Sequence, residues 1–316
     1  MTEKKQVLLL GDGFFARGFL HNINRNLYDI TQIYKDPFIN PQDIMWNLQR
    51  GLKYKPSFHI KDKLYTKSNI LSIKETITAI SFKSLGVEIT TVAPDLTAAA
   101  PKTLMFNPDY LIIGLGNFKT IKDWTEELST LPTGPIDIIG LGPTGVELGS
   151  ILSSTHSVYM YDMLPYEKVM PYVSPQTKEK LLLNFPTNIT YGQMYTGKRG
   201  IFTGNTRQNN ITAQLKVDEY LMYTDNKSKY TTCYIGGDGA NTPVPFNRSG
   251  QVAYQQGAYV AKRLNGEIPL DVPFNYDHNG IALNLKDKKV LIEGHKIVPD
   301  GIYPDFIIRL YSLFFV

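Results

Sequence analysis

The chain has 316 residues, of which 42% are hydrophobic and 20% charged, with a formal net charge of +4. This composition excludes a disordered chain, and the length exceeds what one core comfortably holds, so two domains, or one interrupted by another, are expected. The small basic excess, without a basic block, sets nucleic acid aside as the main partner, and a lone Cys233 excludes an intramolecular disulfide, a CxxC redox pair and a cysteine zinc site.

Residues 6–10 form an apolar run that ends in Gly11-Asp12-Gly13-Phe14-Phe15-Ala16. Phe15, Phe19, Leu20 and Ile23 then recur at helical spacing, and residues 30–34 read as a second strand. The order is strand, glycine turn, helix, strand: a βαβ unit with G-x-G-x-x-A where a dinucleotide pyrophosphate would meet a helix N-terminus. Residues 52–66 are polar, and residues 77–80 and 87–92 suggest an antiparallel ribbon or meander. Residues 109–116 are a buried strand running into a further glycine turn at Gly116.

A second unit begins at residues 136–139, a strand followed by Gly140-Leu141-Gly142-Pro143-Thr144-Gly145. Val146, Leu148, Ile151 and Leu152 give the next helix an apolar face. Residues 157–161 form a strand that ends at Asp162, where an acidic residue can reach an adenosine ribose 2′-hydroxyl. No arginine stands beside Asp162, which favours NADH over NADPH. Residues 231–235 read as a buried strand that ends in Gly236-Gly237-Asp238-Gly239-Ala240. A helix follows from about residue 250, with Gly250, Ala253, Gly257, Ala258 and Ala261 able to bring it close to a strand or a ligand. A buried Asp238 calls for a partner such as a ligand hydroxyl, or else caps the following helix. Glu147, in the first turn of its helix, also suits the helix dipole alone. The five histidines show no metal spacing, and Cys233 reads as a packed, inert residue.

Two dinucleotide units in one chain suggest one nucleotide that stays and one that visits, as a flavoprotein accepting hydride from NAD(P)H requires. Four segments (7–16, 109–116, 136–147 and 231–240) resemble, in order, those of the two-dinucleotide-binding-domain flavoproteins. Within that superfamily the chain looks like a shortened type II NADH:quinone oxidoreductase. Phe38-Ile39-Asn40-Pro41, Gly140–Glu147 and the helix segment Gln251-Val252-Ala253-Tyr254-Gln255-Gln256-Gly257 are similar to that family's motifs. Residues 217–221 resemble its segment before the last FAD strand, and residues 201–204 a worn A-T-G turn.

The resemblance implies an α/β fold with two Rossmann-like domains. An FAD domain (1–117 and 218–270) is interrupted by an NADH domain (118–217), and residues 271–316 form a short C-terminal segment. FAD would contact Gly11, Gly13, Phe14, Phe15, Ala16, Gly116, Gly237, Asp238, Gln251 and Val252. NADH would lie on Gly140, Gly142, Pro143, Thr144, Gly145 and Asp162. Glu147 would stand near the nicotinamide, and Gln251 and Gln255, one helical turn apart, would border a quinone.

The first unit departs from the pattern at the end of its second strand, where Tyr34-Lys35-Asp36 replaces the acidic residue. No apolar run approaches the roughly 20 residues that a transmembrane helix needs. Residues 1–10 carry no signal-peptide cleavage pattern, so an intracellular protein is expected. The apolar tail, 304–316, suits a membrane surface, a core-docking role or a homodimer contact. Two alternatives remain open: a soluble reductase with a protein or oxygen acceptor, and a binding protein that has lost its cofactor.

Overall fold

The computed structural model describes residues 3–35, 70–93, 100–116, 131, 133–171, 173–182, 188–197, 200–203, 211, 215–225, 232–243, 249–277, 282–286, 289–292 and 297–298. Asp36, the segment 38–41 and the tail 304–316 lie outside these residues. The first parallel sheet is built around β1 (Lys5–Leu10), whose residues 7–10 are all buried. A strand apolar on both faces belongs in the middle of a parallel sheet, and β1 occupies that place. On one side it pairs with β2 (Tyr28–Tyr34), which pairs with the edge strand β3 (Ile70–Lys74). On the other side lies β7 (Tyr110–Ile113), and beyond it β12 (Thr232–Ile235). The chain therefore leaves this sheet after β7 and returns to it at β12.

Between β3 and β7 the expected meander is three-stranded: β4 (Thr76–Lys83), β5 (Gly86–Val92) and β6 (Lys102–Phe106), all antiparallel. The second parallel sheet has the order β10 (Ile189–Tyr191), β9 (Val158–Asp162), β8 (Ile136–Ile139), β11 (Ile201–Phe202). Four α-helices are described: α1 (Phe14–Asn22), α2 (Pro143–Leu152), α3 (Pro175–Leu182) and α4 (Gly250–Leu264).

The two parallel sheets carry separate cores. Phe15, Phe19 and Val260 pack on the first sheet, whereas Val146, Leu148 and Met160 belong to the second core. Three further strands, β13 (Ala282–Leu285), β14 (Lys289–Ile292) and β15 (Ile297–Val298), form an antiparallel sheet. Leu283 and Leu285 of β13 lie in the second core. Among the described residues no helix is long and apolar enough to cross a membrane.

Two of the small residues of α4, Gly250 and Gly257, face α1. A Cβ on Gly257 would run into the Phe15 carbonyl, and one on Gly18 of α1 would run into the Tyr254 carbonyl. The helices cross backbone to backbone at these two points, which residues with side chains would prevent.

Candidate functional site: two glycine turns at the strand ends

At the end of β1 the Gly11 N–H donates to the Ile33 carbonyl of β2 at 2.8 Å, and the chain turns with Gly11 at φ 106°. The turn at the end of β8 repeats this arrangement: the Gly140 N–H donates to Tyr161 of β9 at 2.8 Å, with φ 101°. Both positions lie in the left-handed region that favours glycine. The helices begin alike. Gly13 and Gly142 are extended N-caps without a side-chain capping bond, and neither first turn holds an acidic residue. The first intrahelical bonds are Arg17 N–H to Gly13 and Val146 N–H to Gly142, both 3.0 Å.

The amides of Phe14, Phe15 and Ala16 thus precede the ladder of α1, and those of Thr144 and Gly145 precede that of α2. Pro143 has no N–H and stands at the position where none is needed. Space is open in front of both turns: a Cβ on Gly142 or Gly116 would meet nothing within 4 Å, and one on Gly13 only the Gly114 carbonyl at 4.0 Å. Donors, helix dipole and room for close approach together fit a pyrophosphate at each turn.

The second turn carries its carboxylate at the strand end. Asp162 accepts the Leu141 N–H at 2.7 Å and the Leu164 N–H at 2.8 Å. Its carboxylate is half-buried beside the turn, where a ribose would follow a pyrophosphate. Burial, with Tyr166 and Asp162 nearby, raises the Tyr191 phenol above its ordinary range. Thr203 braces the same turn: its hydroxyl lies 2.7 Å from the Gly140 carbonyl and 3.0 Å from that of Ile139.

In the first unit the ring of Phe15 is buried against Gly114 and Gly236, the residues that follow β7 and β12. Phe14 lies against Gly250, so its ring joins the N-termini of α1 and α4. Asp238, 9% exposed, sits in a single 3-10 turn, Gly237–Gly239. The Gly237 N–H of this turn donates to Gln256 Oε1 at 2.7 Å. Ser249 caps α4 by accepting the Val252 N–H at 3.2 Å, so that amide already has a partner.

The three residues expected to do chemistry have structural partners. Glu147, 3% exposed, accepts the Asn284 N–H of β13 at 2.9 Å. Gln255 makes two hydrogen bonds to the backbone of Asp277: its amide nitrogen donates to the Asp277 carbonyl at 2.7 Å, and its oxygen accepts the Asp277 N–H at 2.9 Å. The Tyr276 hydroxyl donates to Gln251 Oε1. Residues 276–277 therefore lie across the glutamine face of α4. Cys233 is buried in β12, and burial pushes its thiol far above the ordinary range.

The motif reading included Gln256 and Thr203 without giving either a role, and it missed a polar group beneath the first turn. Gln256 carried a legible signal, a buried amide in a helix face otherwise made of small and apolar residues. Thr203 had only a two-residue strand before it.

No protein-family model matches the sequence, and no curated protein does. Solved structures match along most of their length. NDH2 from Plasmodium falciparum in complex with NADH is 14% identical, with a TM-score of 0.69 over 99% of this chain and 95% of that one. The water-forming NADH oxidase from Lactobacillus brevis bound to NADH is 15% identical, with a TM-score of 0.61 over 91% and 75%. NADH:rubredoxin oxidoreductase from Clostridium acetobutylicum is 16% identical, with a TM-score of 0.55 over 93% and 90%. At such identities the likeness is one of architecture: this chain has the fold of the two-dinucleotide-domain pyridine-nucleotide oxidoreductases.

Proposed function

We propose that the protein is a flavin-dependent NADH dehydrogenase, with FAD on the first unit (1–117 and 218–270), NADH on the second (118–217) and a quinone as electron acceptor. The observation that carries this reading is the pair of uncapped helix starts, each behind a glycine turn at the end of a parallel strand. The NADH-bound solved structures of the same fold support the pairing.

Bound FAD would supply the two-electron centre that accepts hydride from NADH and returns electrons to the acceptor. The chain's own residues bind and orient. Gly11, Gly13 and the amides of Phe14, Phe15 and Ala16 hold one pyrophosphate, with Gly116 leaving room beside them. Gly237 and Asp238 face the remainder of that nucleotide, and Gln256 fixes their turn. The positive end of α4, beside this turn, favours negative charge there. Gly140, Gly142, Pro143, Thr144 and Gly145 hold the second pyrophosphate, and Asp162 takes its ribose. Glu147 enters as a positioning residue: it ties the C-terminal sheet to α2.

The quinone belongs with the glutamine face of α4, Gln251 and Gln255, and with a peripheral position on a membrane surface, as the sequence motif suggests. A soluble acceptor, protein or oxygen, is the second reading. It is favoured by the closure of those two glutamines under residues 276–277.

The test is the visible absorption spectrum of the purified protein before and after anaerobic NADH. A flavin spectrum bleached by NADH is expected. A colourless protein that FAD cannot reconstitute would overturn the reading and leave a binding protein. Turnover with a short-chain quinone, compared with oxygen consumption, then separates the two acceptors.

A further inference from the structure

The two glycine turns correspond position by position through their hydrogen bonds, and several of the paired residues differ in kind. Because Gly11 bonds Ile33 as Gly140 bonds Tyr161, Asp12 corresponds to Leu141, Gln32 to Met160 and Tyr34 to Asp162. The helix ladders match Arg17 with Val146. The second unit fills the space under its turn with Leu141, Val146 and Met160, all buried. The first unit fills the same space with Asp12, Arg17 and Gln32, also buried.

Asp12 touches both of the others. Arg17 Nε lies 3.3 Å from Asp12 Oδ1, and both side chains are 1% exposed. Arg17 Nη2 is 3.5 Å from Asp12 Oδ2. Gln32 Nε2 donates to the Gly11 carbonyl at 2.8 Å and reaches Asp12 Oδ1 at 3.4 Å. The Tyr34 phenol, raised chiefly by burial, feels Asp12 and, in the opposite sense, Arg17. The fold does not require this group, since the second turn is built without it. A buried ion pair is seldom more stable than the apolar side chains that could replace it, so stability does not account for three polar substitutions together.

We propose that the Asp12–Arg17 pair, held by Gln32, sets the electrostatic affinity of the first glycine turn for its dinucleotide, with Arg17 cancelling a carboxylate that would otherwise repel the pyrophosphate. Asp12 immediately precedes the N-cap Gly13, one residue from the amides that would face the phosphates. In this poorly hydrated place an uncompensated charge acts on a bound anion with little screening. The second turn keeps its single carboxylate at the strand end, on the ribose side. The first has a neutral phenol there, and its carboxylate lies inside, already paired.

The inference rests on reading the first turn as a dinucleotide site, and the experiment separates the two. FAD is titrated into the flavin-free full chain, with binding followed by quenching of its fluorescence and folding by circular dichroism and urea unfolding. Arg17→Met is expected to weaken FAD binding by about tenfold or more, because the Asp12 carboxylate loses the guanidinium beside it. Asp12→Asn is expected to tighten binding several-fold despite lowering stability. The double variant should return near the wild-type affinity.

Opposite signs in the two single variants follow from charge, whereas a purely structural role would weaken binding in both. If Arg17→Met does not fold, Asp12→Asn alone decides, since weakened or unchanged affinity in that variant overturns the proposal. Unchanged affinity in a folded Arg17→Met does the same. A wild-type chain that takes up no FAD overturns the dinucleotide reading itself, and the charge pair falls with it.

Discussion

Glu147 and Asn284, 137 residues apart, are joined inside the protein by a 2.9 Å hydrogen bond from the Asn284 amide to the Glu147 carboxylate. A second bond runs alongside it, from the Lys286 N–H to the Ser150 hydroxyl at 2.9 Å. Together they fasten one edge of β13 to α2, and Leu283 and Leu285 are buried beside them. Glu147→Ala removes the acceptor of a buried amide and should cost about 2–4 kcal/mol in urea unfolding. Glu147→Gln keeps an acceptor oxygen and should cost less than about 1 kcal/mol. Faster hydrogen exchange at Asn284 in the alanine variant, with other strands unaffected, would localise the effect.

Asp162 has two tasks that substitution separates. Its carboxylate holds the Leu141 and Leu164 amides, and on the proposed reading it also receives a ribose hydroxyl. Asp162→Ala should weaken NADH binding by about tenfold, the loss of one charge-assisted hydrogen bond. Asp162→Arg should weaken NADH and improve NADPH relative to it. Titration with both nucleotides checks this, and no change in either removes Asp162 from the site.

Gln255→Ala frees residue 277 from α4. NADH reduction of the flavin should continue at its normal rate while turnover with a quinone slows, and stability should fall by about 1 kcal/mol for the lost bonds. Stopped-flow measurement of each half-reaction tests the assignment. A slowed NADH half-reaction with normal quinone turnover would move the acceptor elsewhere.

Gly257→Ala places a methyl group against the Phe15 carbonyl and must push α1 and α4 apart. Overpacking of this kind should destabilise the protein by about 1–3 kcal/mol, lowering the melting temperature by several degrees. Because Phe15 lies at the start of α1, FAD affinity should fall too. Gly134→Ala, where a Cβ meets nothing and the backbone is not left-handed, serves as the control for a glycine away from the helix crossing.

The sequence made the two strand–glycine–helix units legible because each signal is local. An apolar run, a turn only glycine can make and a 3.6-residue period all lie within about a dozen residues. Asp162 was legible for the same reason, being placed by the length of one helix and one strand. Partners far away in sequence were not. Nothing in the small-residue face of α4 says that α1 lies against Gly250 and Gly257. Glu147, expected in the first turn of α2, stands past it, and from the sequence it looks the same whether it faces a nicotinamide or Asn284. The edge strand β3 and the short β11 were hidden because few of their residues are buried on both sides. The Asp12–Arg17 pair was concealed by its setting, since an acidic residue in a glycine turn and a basic one in the next helix are ordinary surface features until both prove to be inside.

The position of β12 also governs the order in which the molecule can be made. β7 and β12 are neighbours in the first sheet, yet every strand of the second sheet is synthesised between them. While the ribosome makes that intervening stretch, β7 is left as an open border with unpaired backbone groups. The second sheet, contiguous in the chain, can close first, and the first must wait for its last member. A message cut short before residue 232 would yield a protein with a sticky, unfinished edge on the first sheet and a second core still lacking Leu283 and Leu285.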